Sequence, residues 1–349
     1  MAKIVLASDF HFGVHRNNEL FLESQLKFFK ECFIPYLIKH NIDTIMMLGD
    51  FFDHRNHINI KIKNAVFDLF ENHLSPFKIY MLVGNHDSYH TTTIEINSLK
   101  FLKKFDNIIL IEDIEKVTID NRDILLVPWQ VDKDKFLQRV ANKNIHTDVC
   151  MGHLEIGGFP LNGNRICEDG ISPDVFFNNY SLIFSGHFHK RSLQKRGNST
   201  IQYIGNPYHL TRHDIGEERG FCIFDTDTLD YYFVNNEVSI KYIKISYPNK
   251  FEENDIKGNI VDVEIDYSEG YDEVKVSDYL TLIESYKPII APIPKYINTL
   301  SYNNDDLEIE TQTITELLHE YISTLNIENK EVIYNKIKNL FDECKGDLK

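Results

Sequence analysis

Lys78-Ile79-Tyr80-Met81-Leu82-Val83-Gly84-Asn85-His86-Asp87 decides the fold of this 349-residue chain. Its first half is a nearly continuous run of strand formers, the pattern of a parallel strand buried on both faces. Gly84 then lets the backbone turn sharply. Asn85, His86 and Asp87 follow at once, three side chains able to coordinate a cation or carry a proton. That position, just past a buried strand, is the edge at which open α/β sheets bind their ligands.

The same grammar recurs. Lys3–Asp9 reads as a first strand closing on Asp9-Phe10-His11. Thr44–Asp50 closes on Gly49-Asp50-Phe51-Phe52-Asp53, Thr147–Leu154 on Gly152-His153, and Ser181–Ser185 on Gly186-His187-Phe188-His189. Between the early strands, Leu20, Phe21, Leu26, Phe28, Phe29, Phe33 and Ile34 predict a long helix ended near Pro35 or Asn41. Ile62, Val66, Leu69 and Phe70 predict another. Strand and helix in alternation imply a parallel sheet with crossover helices. Further on, Val117–Ile119 and Ile124–Val127 predict a hairpin, Asp132 to Ala141 a polar helix, and Gly197-Asn198 and Asp225-Thr226-Asp227 two more hairpin turns.

Composition shifts after about Asn236. Residues 1–236 form the expected ligand-bearing domain. Residues 237–300 read as a small α+β module, with strands Ile240–Ser246 and Ile260–Ile265, a helix Val274–Tyr286, and irregularity imposed by Pro288, Pro292 and Pro294. Asn303-Asn304-Asp305-Asp306 reads as a linker. Beyond it, Ile314, Leu317, Leu318, Tyr321, Ile322 and Leu325 form one apolar helical stripe, and Ile333, Ile337, Leu340 and Phe341 a second, shorter one.

The bulk numbers narrow the class. No apolar run approaches the roughly 18 residues of a membrane helix, and the chain opens on a strand rather than an export leader. Five scattered cysteines without a CxxC pair read as reduced thiols of a cytoplasmic protein. The net charge of −16 argues against phosphate neutralisation as the main means of holding nucleic acid. If nucleic acid is the substrate, bound cations, local basic patches or a partner must supply the attraction.

Each cluster alone has a bland explanation. Asp9-Phe-His11 could be surface decoration, Asp50 could cap the next helix, and His153 could be a hydrogen-bonded core histidine. Together, each at the end of an apolar run, they form a metal site. Two ions sharing a carboxylate need about seven oxygen and nitrogen ligands, and a set without thiolate favours Mn, Fe or Zn. Asp9, His11, Asp50, Asn85, His153, His187 and His189 supply that count. His187 and His189 can both serve only where the backbone leaves strand geometry.

This ordered set resembles the calcineurin-like metallophosphoesterase superfamily, whose fold is a two-sheet α/β/β/α sandwich. More narrowly it is similar to the SbcD-type recombination and repair nucleases, including their bacteriophage members. Three features carry the narrower resemblance over about residues 1–230: Gly-Asn-His-Asp, the Gly-Asp-Phe-Phe-Asp block, and Tyr203-Ile-Gly-Asn-Pro-Tyr208 followed by Arg219-Gly-Phe-Cys-Ile-Phe-Asp225. The resemblance implies that Asp9, His11, Asp50 and His189 hold one divalent ion and Asp50, Asn85, His153 and His187 the other, with Mn²⁺ the expected metal. It implies that His86 acts on the phosphate, and that Asp53 orients His86. It further implies DNA as substrate, residues 237–300 as a DNA-capping module, and C-terminal helices in 301–349 that dock an SbcC-type SMC-like ATPase; a homodimer is compatible with it.

Lys190, Arg191, Lys195, Arg196 and Arg212 are the candidate DNA contacts on this acidic chain, although they could equally belong to a solvated hairpin. A DNA nuclease is therefore the leading expectation. A small-molecule phosphodiesterase, which would leave the last 110 or so residues without a purpose, and an inactive scaffold subunit are the alternatives.

Overall fold

Alternation within the early strands settles the layering. In a computed structural model describing residues 3–89, 93–140, 147–161, 165–267 and 272–297, with 334 and 336 beyond them, Lys3–Ala7 (β1) sends Ile4 and Leu6 to one face and Val5 and Ala7 to the other. Both faces are buried. The first sheet runs Tyr231–Asn235 (β12), Gly220–Asp225 (β11), β1, Thr44–Met47 (β2), Lys78–Leu82 (β3) and Ile108–Ile111 (β4). From β1 to β4 it is parallel, and β11 and β12 complete it antiparallel. The second sheet runs Glu115–Ile119 (β5), Arg122–Val127 (β6), Val149–His153 (β7), Leu182–Gly186 (β8), Ser199–Tyr203 (β10) and Ser192–Arg196 (β9). Its inner pairs β6–β7, β7–β8 and β8–β10 are parallel.

The two sheets pack face to face through Ile4, Leu6, Met46, Leu48 and Leu82 from one and Leu126, Val149, Met151 and Phe184 from the other. The outer face of the first sheet is covered by Phe28, Phe29, Phe33, Leu37, Val66 and Phe70. The outer face of the second meets Phe136, Val140 and Phe176. This is the expected four-layer α/β/β/α sandwich.

The predicted long helix does not end at Pro35. Helix Glu19–Lys27 passes through a π-helical stretch, Phe28–Phe33, into Ile34–His40, where Pro35 occupies the first turn. Pro35 offers no N–H to the helix, and it falls where π-helical bonding gives way to α-helical bonding. The helix stops at Asn41, which adopts the left-handed conformation.

Beyond residue 236, Tyr242–Ser246 (β13) and Ile260–Asp266 (β14) pair in parallel, and Glu273–Ser285 is the expected helix. A third strand, Ile293–Ile297 (β15), runs through Pro294, where the sequence predicts irregularity. It lies at the sheet edge, where a missing ladder donor is tolerated. Residues Met1–Ile265 and Asp272–Tyr296 form one compact unit, and Asp266–Tyr271 with Ile297–Lys349 a second. The two C-terminal apolar stripes fall outside the described residues. No helix among the described residues is long and apolar enough to cross a membrane.

Candidate metal centre

Every strand that carries a candidate ligand delivers it just past its C-terminal end: Asp9 and His11 after β1, Asp50 after β2, Asn85 and His86 after β3, His153 closing β7, His187 and His189 after β8. The strain of gathering them is written in the backbone. Asp9, His11, Asp50 and His187 have φ of 56°, 47°, 52° and 89°, a left-handed conformation that non-glycine residues rarely adopt and that concentrates at functional sites. His187 is where the chain leaves strand geometry, which separates His187 from His189.

Gly84 has a different job from the sharp turn its sequence suggested. A side chain there would put a Cβ 2.2 Å from both the backbone nitrogen and the Oδ1 of Asp50. Its absence lets the two ligand loops touch. Gly49 does combine both roles, with φ of +95° and the His153 ring against it.

The donor atoms converge in two groups. Asp9, His11 and His189 form one, and Asp50, His153 and His187 the other, all within 4.8 Å inside each group. Asp50 lies between them, with Oδ2 3.9 Å from His11 Nε2 and Oδ1 3.3 Å from His153 Nε2. Asn85 Oδ1 sits 2.8 Å from His153 Nε2 and 2.9 Å from His187 Nδ1. His11 Nε2 and His189 Nε2 face each other at 3.0 Å.

This donor set fits divalent cations. His153 Nδ1 donates to the Leu48 carbonyl at 2.7 Å, so the Nε2 lone pair is directed at two oxygen acceptors, as a second-sphere contact fixes a ligand tautomer. An ion or a proton must occupy that position. Burial disfavours a charged imidazole, but the Asp50 carboxylate outweighs it and lifts His153 to about 9. Burial pushes His187 and His189 down to about 3, aided by His153 and His11 respectively, so both imidazoles are neutral at neutral pH and have a lone pair to offer a cation. Burial would raise Asp50, yet His153, His86 and His11 hold it well below the carboxylate range. The clustered residues thus define a dinuclear divalent-metal site.

His86 stands beside this cluster, its ring 4.8 Å from that of His11. The expected orienting contact from Asp53 takes another form. His86 Nδ1 donates to the backbone carbonyl of Asp53 at 2.7 Å, whereas the Asp53 carboxylate lies 3.3 Å from His11 Nδ1. The loop turns the carbonyl toward His86 and leaves the carboxylate beside His11. His11, Asp53 and His86 also converge within 4.8 Å, so proximity alone does not separate a ligand from an acid here.

Asp87 and the Tyr203–Tyr208 motif bind the loops of the site to one another. Asp87, fully buried, accepts from the backbone N–H of Phe51, Phe52 and Gly84 at 3.0 to 3.3 Å. It therefore fastens the Asp50 loop to the Asn85 loop. Burial and then the Asp50 charge push it up to about 6. The Tyr203–Tyr208 motif works similarly. Tyr203 donates to the Leu154 carbonyl next to His153, Tyr208 donates to the Phe10 carbonyl between Asp9 and His11, and the Asn206 N–H donates to the His189 carbonyl at 3.2 Å. Arg219 reaches the same His189 carbonyl and pairs with Asp214. The signal was present in the motif, but only the fold reveals that three ligand loops meet it.

Most of the basic candidates are already paired. Lys190 pairs with Glu217, Arg196 with Asp174, and Arg212 with the buried Asp262 at 2.8 Å. Arg191 is held by Asn235 and Glu218 and lies over the Phe233 ring. Lys195 is exposed and carries no ion pair among the described residues.

The sandwich and its paired histidine-carboxylate clusters are those of a metal-dependent phosphoesterase. Residues 2–191 match calcineurin-like phosphoesterase, and the chain belongs to that family. It is 27% identical to exonuclease subunit 1 of Enterobacteria phage T4, over 93% of each chain. It is 24% identical to the DNA double-strand break repair protein Mre11 of Sulfolobus acidocaldarius, over 97% of this chain and 85% of that one. A solved archaeal phosphodiesterase aligns with 67% of this chain and 99% of its own at 15% identity and a TM-score of 0.37.

Proposed function

We propose that this protein is the nuclease subunit of a DNA end-processing machine, hydrolysing phosphodiester bonds with two divalent ions, Mn²⁺ in the working enzyme. The observation that carries the reading is the Asp50 carboxylate placed between two histidine-carboxylate groups, with His86 at their edge. Near-full-length similarity to an exonuclease subunit and to a double-strand break repair protein supports DNA as the substrate.

Asp9, His11, Asp50 and His189 would hold one ion, and Asp50, Asn85, His153 and His187 the other. Bound there, the ions supply Lewis acidity to the phosphate oxygens and lower the pKa of the attacking water. The chain does the rest. Asp87 and the Tyr203–Tyr208 motif keep the ligand loops in register. The Asp53 carbonyl engages Nδ1 of His86, leaving Nε2 for the phosphate. Burial depresses the His86 pKa despite the opposing Asp50 charge, and a bound anion restores basicity, so His86 delivers its proton to the leaving oxygen.

Residues 237–300 serve in this reading as the DNA-capping module, and helices in 301–349 dock an SMC-like ATPase in the cytoplasm. The test is to incubate purified protein with Mn²⁺ and either linear DNA or bis-p-nitrophenyl phosphate. Turnover of DNA is expected. Turnover of the small diester alone makes it a small-molecule phosphodiesterase, and turnover of neither makes it a scaffold. Truncation near Asn304 is expected to leave a folded, metal-binding nuclease that no longer co-purifies with the ATPase; undiminished co-purification overturns the docking role.

A further inference from the structure

The acidic chain has already neutralised most of the cations expected to face DNA. One cleft beside His86 differs. It has a volume of about 330 Å³ and opens to solvent between Arg55, His57, Lys63, Tyr89, Ile96 and Phe101. Arg55 and Lys63 are exposed, and among the described residues neither is paired with a carboxylate. Lys63 lies instead over the Phe101 ring, 5.1 Å from its centroid. Tyr89 and Ile96 are 40% and 59% exposed, apolar surface standing in solvent beside those two charges.

The cleft is built from the catalytic loops themselves. Its Arg55 side continues directly from Asp53, whose carbonyl holds His86. Its Tyr89 side continues from Asn85-His86-Asp87, folded back by Tyr89 N–H donating to the Ile96 carbonyl and Ser98 N–H donating to the Asp87 carbonyl. Arg55 is close enough for its charge to act on His86.

We propose that this cleft is the subsite for the leaving nucleotide of an unpaired DNA strand. Arg55 and Lys63 take its phosphate, and Tyr89 and Ile96 lie against its base. The combination of exposed cations with exposed apolar side chains suits a single strand, because every base offers a face to stack on and every nucleotide a charge. The volume sits at the lower end of the roughly 300–1,000 Å³ of small-ligand sites, enough for one nucleotide rather than a duplex. The proposal rests on the nuclease reading and adds to it where strand recognition is made.

The test compares the full-length protein with its Arg55→Gln/Lys63→Gln variant in Mn²⁺, on a fluorescent single-stranded oligonucleotide and on bis-p-nitrophenyl phosphate. A Lys27→Gln/Lys39→Gln variant, with the same charge change on the helices behind the first sheet, controls for net charge. The ratio of kcat/KM on oligonucleotide to that on the small diester is expected to fall about tenfold or more in the cleft variant, through KM. The salt dependence of oligonucleotide binding is expected to flatten by a slope of about 0.7, the one single-strand phosphate that the two cations share. An unchanged ratio, a parallel loss on both substrates, or an equal loss in the control overturns the subsite while leaving the nuclease reading intact. Failure of the unaltered protein to cleave either substrate removes the nuclease reading, and the subsite with it.

Discussion

The Tyr208 hydroxyl donates a 2.6 Å hydrogen bond to the Phe10 carbonyl, across 198 residues of sequence. Phe10 sits between Asp9 and His11, and both of those residues hold left-handed backbone conformations. The bond is therefore one of the constraints that keep a strained ligand pair in place, with Gln25 supplying another at 2.8 Å. In Tyr208→Phe the fold should persist, since one buried hydrogen bond contributes about 0.5–1.5 kcal/mol. Metal affinity should fall by about tenfold or more, as when other outer contacts of metal sites are removed. Metal titration by calorimetry checks this; unchanged affinity with lowered stability would make the bond purely structural.

Asp87 makes a sharper case. Among the described residues its carboxylate accepts from the backbone N–H of Phe51, Phe52 and Gly84 and from the Ser98 hydroxyl. Asp87→Asn turns one acceptor into a donor facing donors. The buried mismatch should cost about 1–3 kcal/mol and loosen the Asp50 and Asn85 loops together. Activity should fall with binding of the Asn85 ion, and thermal melting with and without Mn²⁺ should show a smaller metal-induced stabilisation than in the parent.

The layers and the ligand loops were legible because each strand is an apolar run ended by an abrupt polar cluster. What could not be read was anything set by approach in space. Gly84 looked like a turn residue and is instead the gap into which Asp50 fits. Asp53 carried the right residue type for its expected partner, yet its carbonyl rather than its carboxylate reaches His86. Arg191, Arg196 and Arg212 read as a free basic patch because their partners Glu218, Asp174 and Asp262 lie 27, 22 and 50 residues away. Long-range pairing of surface charge leaves no periodic trace.

For His86, chemistry and metal binding should separate. His86→Gln keeps a polar side chain beside Asp53 but cannot deliver a proton. Both ions should remain bound and cleavage should fall about 10²-fold or more, the usual weight of a general acid or base. Loss of one ion in this variant would move His86 into the ligand set.

For Asp50 the opposite holds. Its two oxygens face different histidines, so Asp50→Asn should lose both ions and activity together, whereas His189→Ala should lose them only in part. Full metal occupancy in Asp50→Asn, measured by elemental analysis, would remove Asp50 from the shared position.

Asp262 provides a pH test away from the metal centre. Its buried carboxylate on β14 meets Arg212 at 2.8 Å and Lys295 at a shorter O–N distance of 2.5 Å, tying the C-terminal sheet to the turn after β10. Burial alone would raise its pKa, but the bonds to Arg212 and Lys295 hold it below the usual 3.8. A depressed folded-state pKa means the unfolded chain binds the proton first. The carboxylate therefore contributes stability that is fully present above its unfolded pKa of about 3.9 and is lost as pH falls through the folded value. Asp262→Asn removes the charge at every pH. The difference in melting temperature between parent and variant should thus be constant from about pH 5 upward and shrink below about pH 4. A difference that stays constant down to pH 3 would show that Asp262 packs without its charge mattering.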